Sequence, residues 1–227
     1  MKFVTACLDF FLPRRCASCN SSLTLQEFYV CSQCLGKIKY ADKDRLEFEF
    51  RKKFERDKII SGFVSLFIFE KDKELQRIIH ELKYEGMFRL GVYLGEMFAN
   101  NLQDQVASWS IDIITPIPLH HLKRAERGYN QSDFIARGIG SKLNIPVGKR
   151  LIKRVRFTST QTELTLQERK QNVLNAFAIR GKPKLQGRNI LLIDDVITTG
   201  ATVSECGRIL LRAGASKVYA ASMAIAD

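Results

Sequence analysis

Two adjacent carboxylates, Asp194 and Asp195, stand between an apolar run and a loop of small and hydroxyl residues. The run over residues 190–193 has no polar alternation, which is typical of a strand buried in a parallel sheet. Side chains that follow such a strand lie at its carboxyl end, where open α/β sheets bind ligands. The two carboxylates can accept hydrogen bonds from sugar hydroxyls or help to hold a divalent cation such as Mg²⁺.

The loop after the carboxylates has the composition of a phosphate site. Backbone N–H groups of a tight loop at a helix N-terminus bind phosphate, threonine hydroxyls add donors, and a glycine allows close approach of the backbone. An ordinary strand, turn and helix with a solvated Asp pair explains each residue singly but not the whole pattern. The pattern predicts a site for a ribose 5-phosphate, whose phosphate-binding residues are Thr198, Thr199, Gly200, Ala201 and Thr202.

Three cationic side chains, Lys123, Arg124 and Arg127, precede Gly128 between a predicted strand and a predicted helix. We expect a loop here that closes on a ligand, because guanidinium groups can clamp phosphate oxygens with two hydrogen bonds. The alternative is a solvated basic loop without a ligand. The neighbouring His120 and His121 carry no independent case for acid or base chemistry, and no catalytic residue is assigned.

The net charge of +12 is unevenly distributed along the chain. Residues 111–160 contain 10 Lys and Arg against 3 Asp and Glu, whereas residues 61–110 contain 5 against 7. Such an excess suits a polyanionic ligand and also suits nucleic acid; a solubilising basic surface is the alternative. The predicted contact residues for single-stranded DNA are Lys149, Arg150, Lys153, Arg154 and Arg156.

Four of the six cysteines form two C-x-x-C pairs, Cys16 with Cys19 and Cys31 with Cys34, separated by eleven residues. No apolar run is long enough for a membrane span and residues 1–12 lack a signal-peptide cleavage pattern, so we expect a cytoplasmic protein. Cysteines in that compartment suggest metal before disulfides. The pairs predict a tetrahedral zinc site, structural because all four positions are thiolates. Four reduced cysteines without a shared ion are the alternative.

The hydrophobic periodicity divides the chain into three parts. Residues 1–40 form the predicted zinc-ribbon-like module, residues 41–60 a charged linker or exposed helix, and residues 61–227 an α/β domain. Alternating strands and helices in the third part predict a mostly parallel sheet flanked by helices. The predicted helices cover residues 73–84, 90–102, 131–143 and 165–174, the last opened by a capping box at Thr165 and Glu168. Besides residues 190–193, the predicted strands cover residues 63–69, 111–115 and 217–225.

The Asp pair and its loop resemble the signature of the type I phosphoribosyltransferases, which bind phosphoribosyl pyrophosphate (PRPP). Across most of its length the chain resembles the ComF family of competence-associated proteins, which also carry an N-terminal four-cysteine module. The residues that carry this resemblance are Leu82-Lys-Tyr-x-Gly86, Pro116-x-Pro-Leu-His120, Arg127-Gly-Tyr-Asn-Gln131, Thr160-Gln161, Arg169-x-x-Asn172-Val173-x-x-Ala176-Phe177 and Gly200-Ala-Thr202.

The resemblance implies a type I phosphoribosyltransferase fold and a cytosolic role in natural transformation. The protein would then handle incoming single-stranded DNA together with competence or recombination proteins. Asp194 and Asp195 would hold the ribose hydroxyls or their Mg²⁺, and residues 198–202 the 5-phosphate. The segment after Thr115 would meet the pyrophosphate, with Lys123, Arg124 and Arg127 as its cationic partners.

Two other functions stay open from the sequence. A phosphoribosyltransferase enzyme would transfer ribose 5-phosphate from PRPP to a base or an amine, and a regulatory protein would sense PRPP through the same fold. All three share the PRPP loop, so that loop does not separate them. The zinc module and the basic segment favour the DNA-associated protein.

Overall fold

The computed structural model describes residues 13–156 and 173–226. The predicted helix that opens at Thr165 lies outside these residues up to position 172, as do the motif residues at 160, 161, 169 and 172. The helices are α1 Ser32–Lys37, α2 Lys43–Lys53, α3 Glu74–Tyr84, α4 Phe88–Ala107, α5 His121–Arg127, α6 Gln131–Leu143 and α7 Ala201–Arg212. The strands are β1 Phe63–Ile68, β2 Ile113–Pro116, β3 Ile152–Arg154, β4 Phe177–Ile179, β5 Asn189–Ile197 and β6 Lys217–Ile225.

Four parallel strands form the main sheet in the order β1-β6-β5-β2. This pairing confirms the predicted mostly parallel sheet. Alternate residues of β5 pack on opposite faces, with Leu191 and Ile193 in one buried cluster and Ile190 and Leu192 in the other. Because both faces are covered, this run contains no polar position.

Helices α3, α4 and α6 cover one face of the sheet, and α2 and α7 cover the other. Two glycines allow the backbones of α4 and α6 to approach closely. A Cβ built on Gly95 would lie 2.2 Å from the carbonyl oxygen of Ile135, and one on Gly138 would lie 2.2 Å from that of Val92. Any larger residue at either position would push α4 and α6 apart. This would also displace the start of α6, which reaches the candidate site.

The ends of several elements differ from the sequence prediction. Helices α3 and α6 and strand β6 lie within one residue of their predicted bounds, whereas α4 continues to Ala107 and buries Val106. Strands β3 and β4 form an antiparallel pair that the sequence did not predict. With three residues each, these strands are too short to produce a periodic pattern.

The segment over residues 41–60, predicted as a charged linker or an exposed helix, does contain a helix, but this helix is packed along one face. Within the segment, α2 has a buried face, and Leu46, Phe54 and Ile60 are buried in the same cluster as Ile190. Leu46, Phe50 and Phe54 recur every four residues, which is helical spacing, but the surrounding charges hide this stripe in the composition. This segment is therefore packed against the α/β fold along one face, while most of its charged side chains stay exposed.

The cysteine module packs against the α/β fold through the edge of β1. Tyr40 forms an antiparallel bridge with Phe67, the Ala41 N–H donates to the Leu66 carbonyl (3.0 Å), and the Ile68 N–H donates to that of Lys39 (2.9 Å). The module thus covers backbone groups that an edge strand would otherwise expose. The buried residues of the module, such as Val30 and Ile38, share a cluster with helices α3, α4 and α6.

Among the described residues, no helix combines the length and the apolar character needed to cross a membrane.

Candidate functional site

The two carboxylates lie beyond the end of a neighbouring strand. Strand β2 ends at Pro116, which pairs with Ile193, while β5 continues to Ile197 along β6. The predicted strand over residues 190–193 is therefore too short, since Val196 and Ile197 extend the pairing with β6. Asp194 and Asp195 follow directly after Ile193, the last residue of β5 that pairs with β2. They therefore lie at the edge where β2 no longer covers β5. This is the ligand-binding end of the sheet that the sequence predicts.

Lys83 at the end of α3 makes an ion pair with Asp195, its Nζ 2.9 Å from the carboxylate Oδ2. The hydroxyl of Ser132 in α6 donates to Asp194 Oδ1 at 3.3 Å. The sequence analysis assigned neither residue. Lys83 lies in the motif over residues 82–86, which signalled its importance without a role, whereas no sequence signal points to Ser132.

The two carboxylates differ in how strongly they hold a proton. Burial, and then the charge of Asp195, raises the pKa of Asp194 to about 7. Burial works against ionisation of Asp195 as well, but Lys83 holds the pKa of Asp195 below its usual value. Among the described residues, only Asp195 of the two carboxylates is in an ion pair, so Asp194 lacks a directly paired cation. The donor set therefore fits a divalent cation or the hydroxyls of a sugar, both of which favour ionised acceptors.

Arg127 lies beside Lys83 at the same edge of the sheet. Its guanidinium stands 5.1 Å from the centre of the Tyr84 ring, donates to the Tyr84 hydroxyl at 3.3 Å and donates to Gln131 Oε1 at 3.1 Å. The motifs over residues 82–86 and 127–131, 43 residues apart in the chain, thus meet at one place. Their contact positions a fixed cation next to the Asp pair.

The predicted loop that carries Lys123, Arg124 and Arg127 is instead helix α5. His120 caps it, since its side chain accepts from the Leu122 N–H, and Gly128 ends it with a φ of +77°. The residues between these positions are mostly strong helix formers. The predicted loop was wrong because the proline-rich start and the glycine end favour a loop, whereas the residues between them favour a helix.

Lys123 and Arg124 point to different surroundings. Burial, and then the charges of Arg127 and Arg154, lower the pKa of Lys123, which therefore belongs to a crowded group of cations. Arg124 instead lines a pocket, which we call the basic pocket, together with other cationic residues such as Lys149 and Arg150. The three cations predicted for pyrophosphate are thus divided. Arg127 lies near Asp194 and Asp195, at the edge of the sheet that we call the Asp edge, and Lys123 lies close enough to feel its charge. Arg124 lies in the basic pocket.

The loop between β5 and α7 forms a small cradle of about 40 Å³, lined by Asp194, Val196, Ile197 and residues 198–203. All five predicted phosphate-binding residues line it. Helix α7 begins at Ala201, so its unpaired N–H groups and the positive end of its dipole face the cradle. This geometry fits a phosphate beside a carboxylate.

Gly200, which caps α7, has a second reason to be glycine. Its φ is +74°, and a Cβ at this position would lie 2.6 Å from Phe54 Cε1 and 3.3 Å from Lys53 Cβ. From the sequence alone, close approach of a phosphate is the reason for this glycine. The structure adds that α2 packs directly against it, so that a valine at position 200 would disturb the fold as well as the loop.

Four of the five residues predicted to bind DNA line the basic pocket, which has a volume of about 340 Å³. Arg156 does not; it donates to the Leu174 carbonyl at 3.0 Å. Arg154 is half-buried over the Phe177 ring, and burial lowers its pKa while the charges of Cys206 and Asp194 raise it. The cationic side chains of the pocket are Arg124, Lys149, Arg150, Lys153, Arg154 and Arg180.

The sulfurs of Cys16, Cys19, Cys31 and Cys34 lie within 4.8 Å of one another. Those of Cys19 and Cys31 are 3.8 Å apart, the spacing of ligands about 2.3 Å from one tetrahedral ion. Backbone N–H groups donate to these sulfurs, from Cys31 to Cys16 (3.3 Å) and from Cys34 to Cys31 (3.4 Å). Such donors stabilise thiolates, so this cluster can hold a metal ion.

Comparison with known proteins agrees with this geometry. Residues 125–225 match the model of the phosphoribosyl transferase domain family. The chain is 28% identical over 224 residues to Competence protein F of Haemophilus influenzae, covering 92% of this chain and 95% of that protein. It is 33% identical over 147 residues to the DNA utilization protein YhgH of Salmonella typhi, covering 63% and 64% of the two chains. It is 34% identical over 102 residues to Competence protein ComFC of Bacillus subtilis, covering 45% and 39%.

The parallel sheet, the cradle after β5 and the matched domain define a phosphoribosyltransferase-like protein with an N-terminal cysteine cluster. Among proteins of this class, the chain belongs to the ComF family.

Proposed function

We propose that this protein binds PRPP with Mg²⁺ at the Asp194–Asp195 edge and supports DNA uptake in natural transformation. The observation that carries the PRPP site is the convergence of a phosphate cradle with a carboxylate pair that Lys83 and Ser132 hold in place. The names of the relatives, competence and DNA utilization proteins, support the role in DNA uptake.

Each part of the edge has a chemical role in this proposal. Residues 198–202 donate hydrogen bonds to the 5-phosphate, and the carboxylates accept from the ribose hydroxyls or hold Mg²⁺. That ion would neutralise pyrophosphate oxygens when bound. Lys123 and Arg127 supply further positive charge for the pyrophosphate, and we place the protein in the cytoplasm, where PRPP is used.

The cysteine cluster, in our proposal, holds a structural zinc ion. Four thiolates complete a tetrahedral shell and leave no open position for a substrate. The ion would fix the module against the β1 edge and so complete the surface of the fold.

Single-stranded DNA, in our proposal, associates with the basic segment through its phosphates, alongside competence or recombination proteins. Lys149, Arg150, Lys153 and Arg156 are the contact residues to test. Arg154 is left out of the test because it interacts electrostatically with Asp194, so its loss would disturb the PRPP site too.

The test is a titration of a labelled oligonucleotide at several salt concentrations. Replacing the four residues with Gln should lower affinity and reduce the slope of log K against log salt by up to about 3, since each lost contact to single-stranded DNA removes about 0.7. The control replaces four exposed cations of the net-negative segment: Lys71, Lys73, Arg77 and Arg89. Equal slopes for the two variants would remove the basic segment from the DNA-binding surface.

The second candidate function is transfer of ribose 5-phosphate from PRPP to a base or an amine, which the matched phosphoribosyl transferase domain favours. Single-turnover measurements of pyrophosphate release with a panel of bases separate the two candidates. Release that depends on one of these acceptors would establish the enzyme.

A further inference from the structure

The basic pocket is separate from the phosphate cradle. It lies between the start of α5, the start of α6 and the segment over residues 149–154, and no residue lines both cavities. Six cationic side chains converge on its volume of about 340 Å³. That volume is at the lower end of the range for small-molecule pockets and suits one nucleotide better than a length of strand.

Two hydrogen-bond acceptors lie among these cations. Asn130 is buried, with 4% of its surface exposed, and its amide nitrogen donates to the Ile117 carbonyl (2.9 Å) and to Asp133 Oδ1 (3.0 Å). Its own oxygen, Asn130 Oδ1, accepts from no donor among the described residues. A buried acceptor without a donor is costly, so a small rotation of the Asn130 side chain toward a ligand that carries an N–H or O–H group would be favourable.

Asp133 is the one acidic residue among those that line the pocket. Burial raises its pKa, although Arg124, Lys149 and Arg137 oppose that effect. Asp133 already accepts from Asn130, and its carboxyl group has further acceptor positions for a ligand in the cavity. Phosphate-binding and donor-binding groups therefore face the same cavity.

We propose that the basic pocket binds a nucleotide by its terminal phosphate, with Asn130 and Asp133 accepting from the sugar or the base. Converging cations suit the concentrated charge of a phosphomonoester, whereas the single charges of a strand's phosphodiesters call for a groove that tracks the backbone. The ligand is either a free mononucleotide or the 5′-phosphorylated end of a DNA strand. Only the second source rests on the proposed association with DNA.

Arg180 is the residue to test, because it lines the pocket and is exposed, with no part in the Asp edge or the cradle. Lys182 is the matched control: it is an exposed cation two residues away and does not line the pocket. The probes are thymidine 5′-monophosphate and two oligonucleotides of one sequence, with a 5′-phosphate or a 5′-hydroxyl. Binding is measured by calorimetry and by fluorescence anisotropy.

We expect Arg180→Gln to weaken thymidine monophosphate binding at least tenfold and Lys182→Gln to leave it within twofold of the wild type. If the ligand is a strand end, the 5′-phosphorylated oligonucleotide binds at least tenfold more tightly than its hydroxyl form, and Arg180→Gln abolishes the difference. If the free nucleotide is the ligand, the monophosphate depends on Arg180 and the two oligonucleotides bind alike.

The pocket proposal fails if the two variants behave alike with every probe, or if the wild type neither binds the monophosphate nor prefers the phosphorylated strand. If strand binding is salt-dependent but ignores both Arg180 and the 5′-phosphate, and the monophosphate shows no binding that depends on Arg180, the pocket is overturned and the proposed function stands. If the protein binds the monophosphate through Arg180 but binds no DNA, the pocket stands and the proposed association with DNA fails.

Discussion

Lys83 determines how the two carboxylates share their charge. Its ammonium pairs with Asp195 in a half-buried position, and only Asp195 of the pair has a lowered pKa. A Mg²⁺ ion bound together with PRPP would supply positive charge beside Asp194, whose carboxyl group would then be ionised more readily.

We predict that Lys83→Gln lowers the free energy of unfolding at pH 7 by about 1–3 kcal/mol, because it leaves a mostly buried carboxylate without its cation. A carboxyl with a lowered folded pKa stabilises the fold above its unfolded pKa of about 3.9, and this contribution is lost as pH falls through the folded value. The difference between wild type and variant should therefore be full at pH 7 and shrink below about pH 4.

Urea denaturation of the unliganded protein at pH 7 and pH 3.5 measures this difference. Lys71→Gln, at an exposed position, is the control for the loss of one charge. A Lys83→Gln variant as stable as that control at pH 7 would show that the pair does not contribute to stability.

At the scale of single residues, the sequence predicted the groups with a strong local pattern. The Asp pair, residues 198–202 and the four cysteines each form such a pattern, and the structure brings each group together. Ser132 and Phe54 were not predicted, because their importance arises from contacts with residues 62 and 146 positions away in the chain. One sequence without tertiary contacts does not contain that information.

Among the elements, α2 and the cysteine module make more packing contacts with the rest of the fold than their composition predicts. Helix α2 fixes Gly200 through Phe54, and its Lys53 donates to the Ala226 carbonyl at 3.0 Å. The module continues directly into α2 across the β1 edge. The cysteine module and the cradle after β5 are therefore connected by packed structure, which a charged linker would not provide.

We predict one zinc ion per chain, bound by Cys16, Cys19, Cys31 and Cys34. Because the module shares a buried cluster with α3 and β1, loss of the metal should destabilise more than the module itself. Cys31→Ser should lose the zinc and lower the melting temperature by several degrees. Elemental analysis and thermal denaturation measure the two effects.

Cys206 provides the control for this prediction, since it is buried in α7 far from the cluster in the chain. Cys206→Ala should keep its zinc, whatever its effect on stability. Purified wild-type protein that contains no zinc and has four freely reactive thiols at the cluster would refute the metal site.

At the scale of the whole molecule, the parallel sheet was predictable because each central strand is a continuous apolar run between helical patterns. The basic pocket was not. The sequence predicts a cluster of cations over residues 149–156 and another at residues 123–127, but only the fold places Arg124 and Arg180 around one cavity with Lys149. Charge counted along a chain gives its amount and sign, whereas convergence is a property of the folded surface.

Calorimetry of PRPP with Mg²⁺ tests whether PRPP binds at the carboxyl end of β5. Asp194→Asn and Asp195→Asn remove acceptor charge from the edge, while Asp104→Asn removes one charge from an exposed position on α4. We predict at least tenfold weaker binding for each edge variant, about 1.4 kcal/mol or more, and wild-type affinity for the control. Circular dichroism verifies that all three are folded. Wild-type affinity in both edge variants would contradict the account and place PRPP elsewhere on the protein.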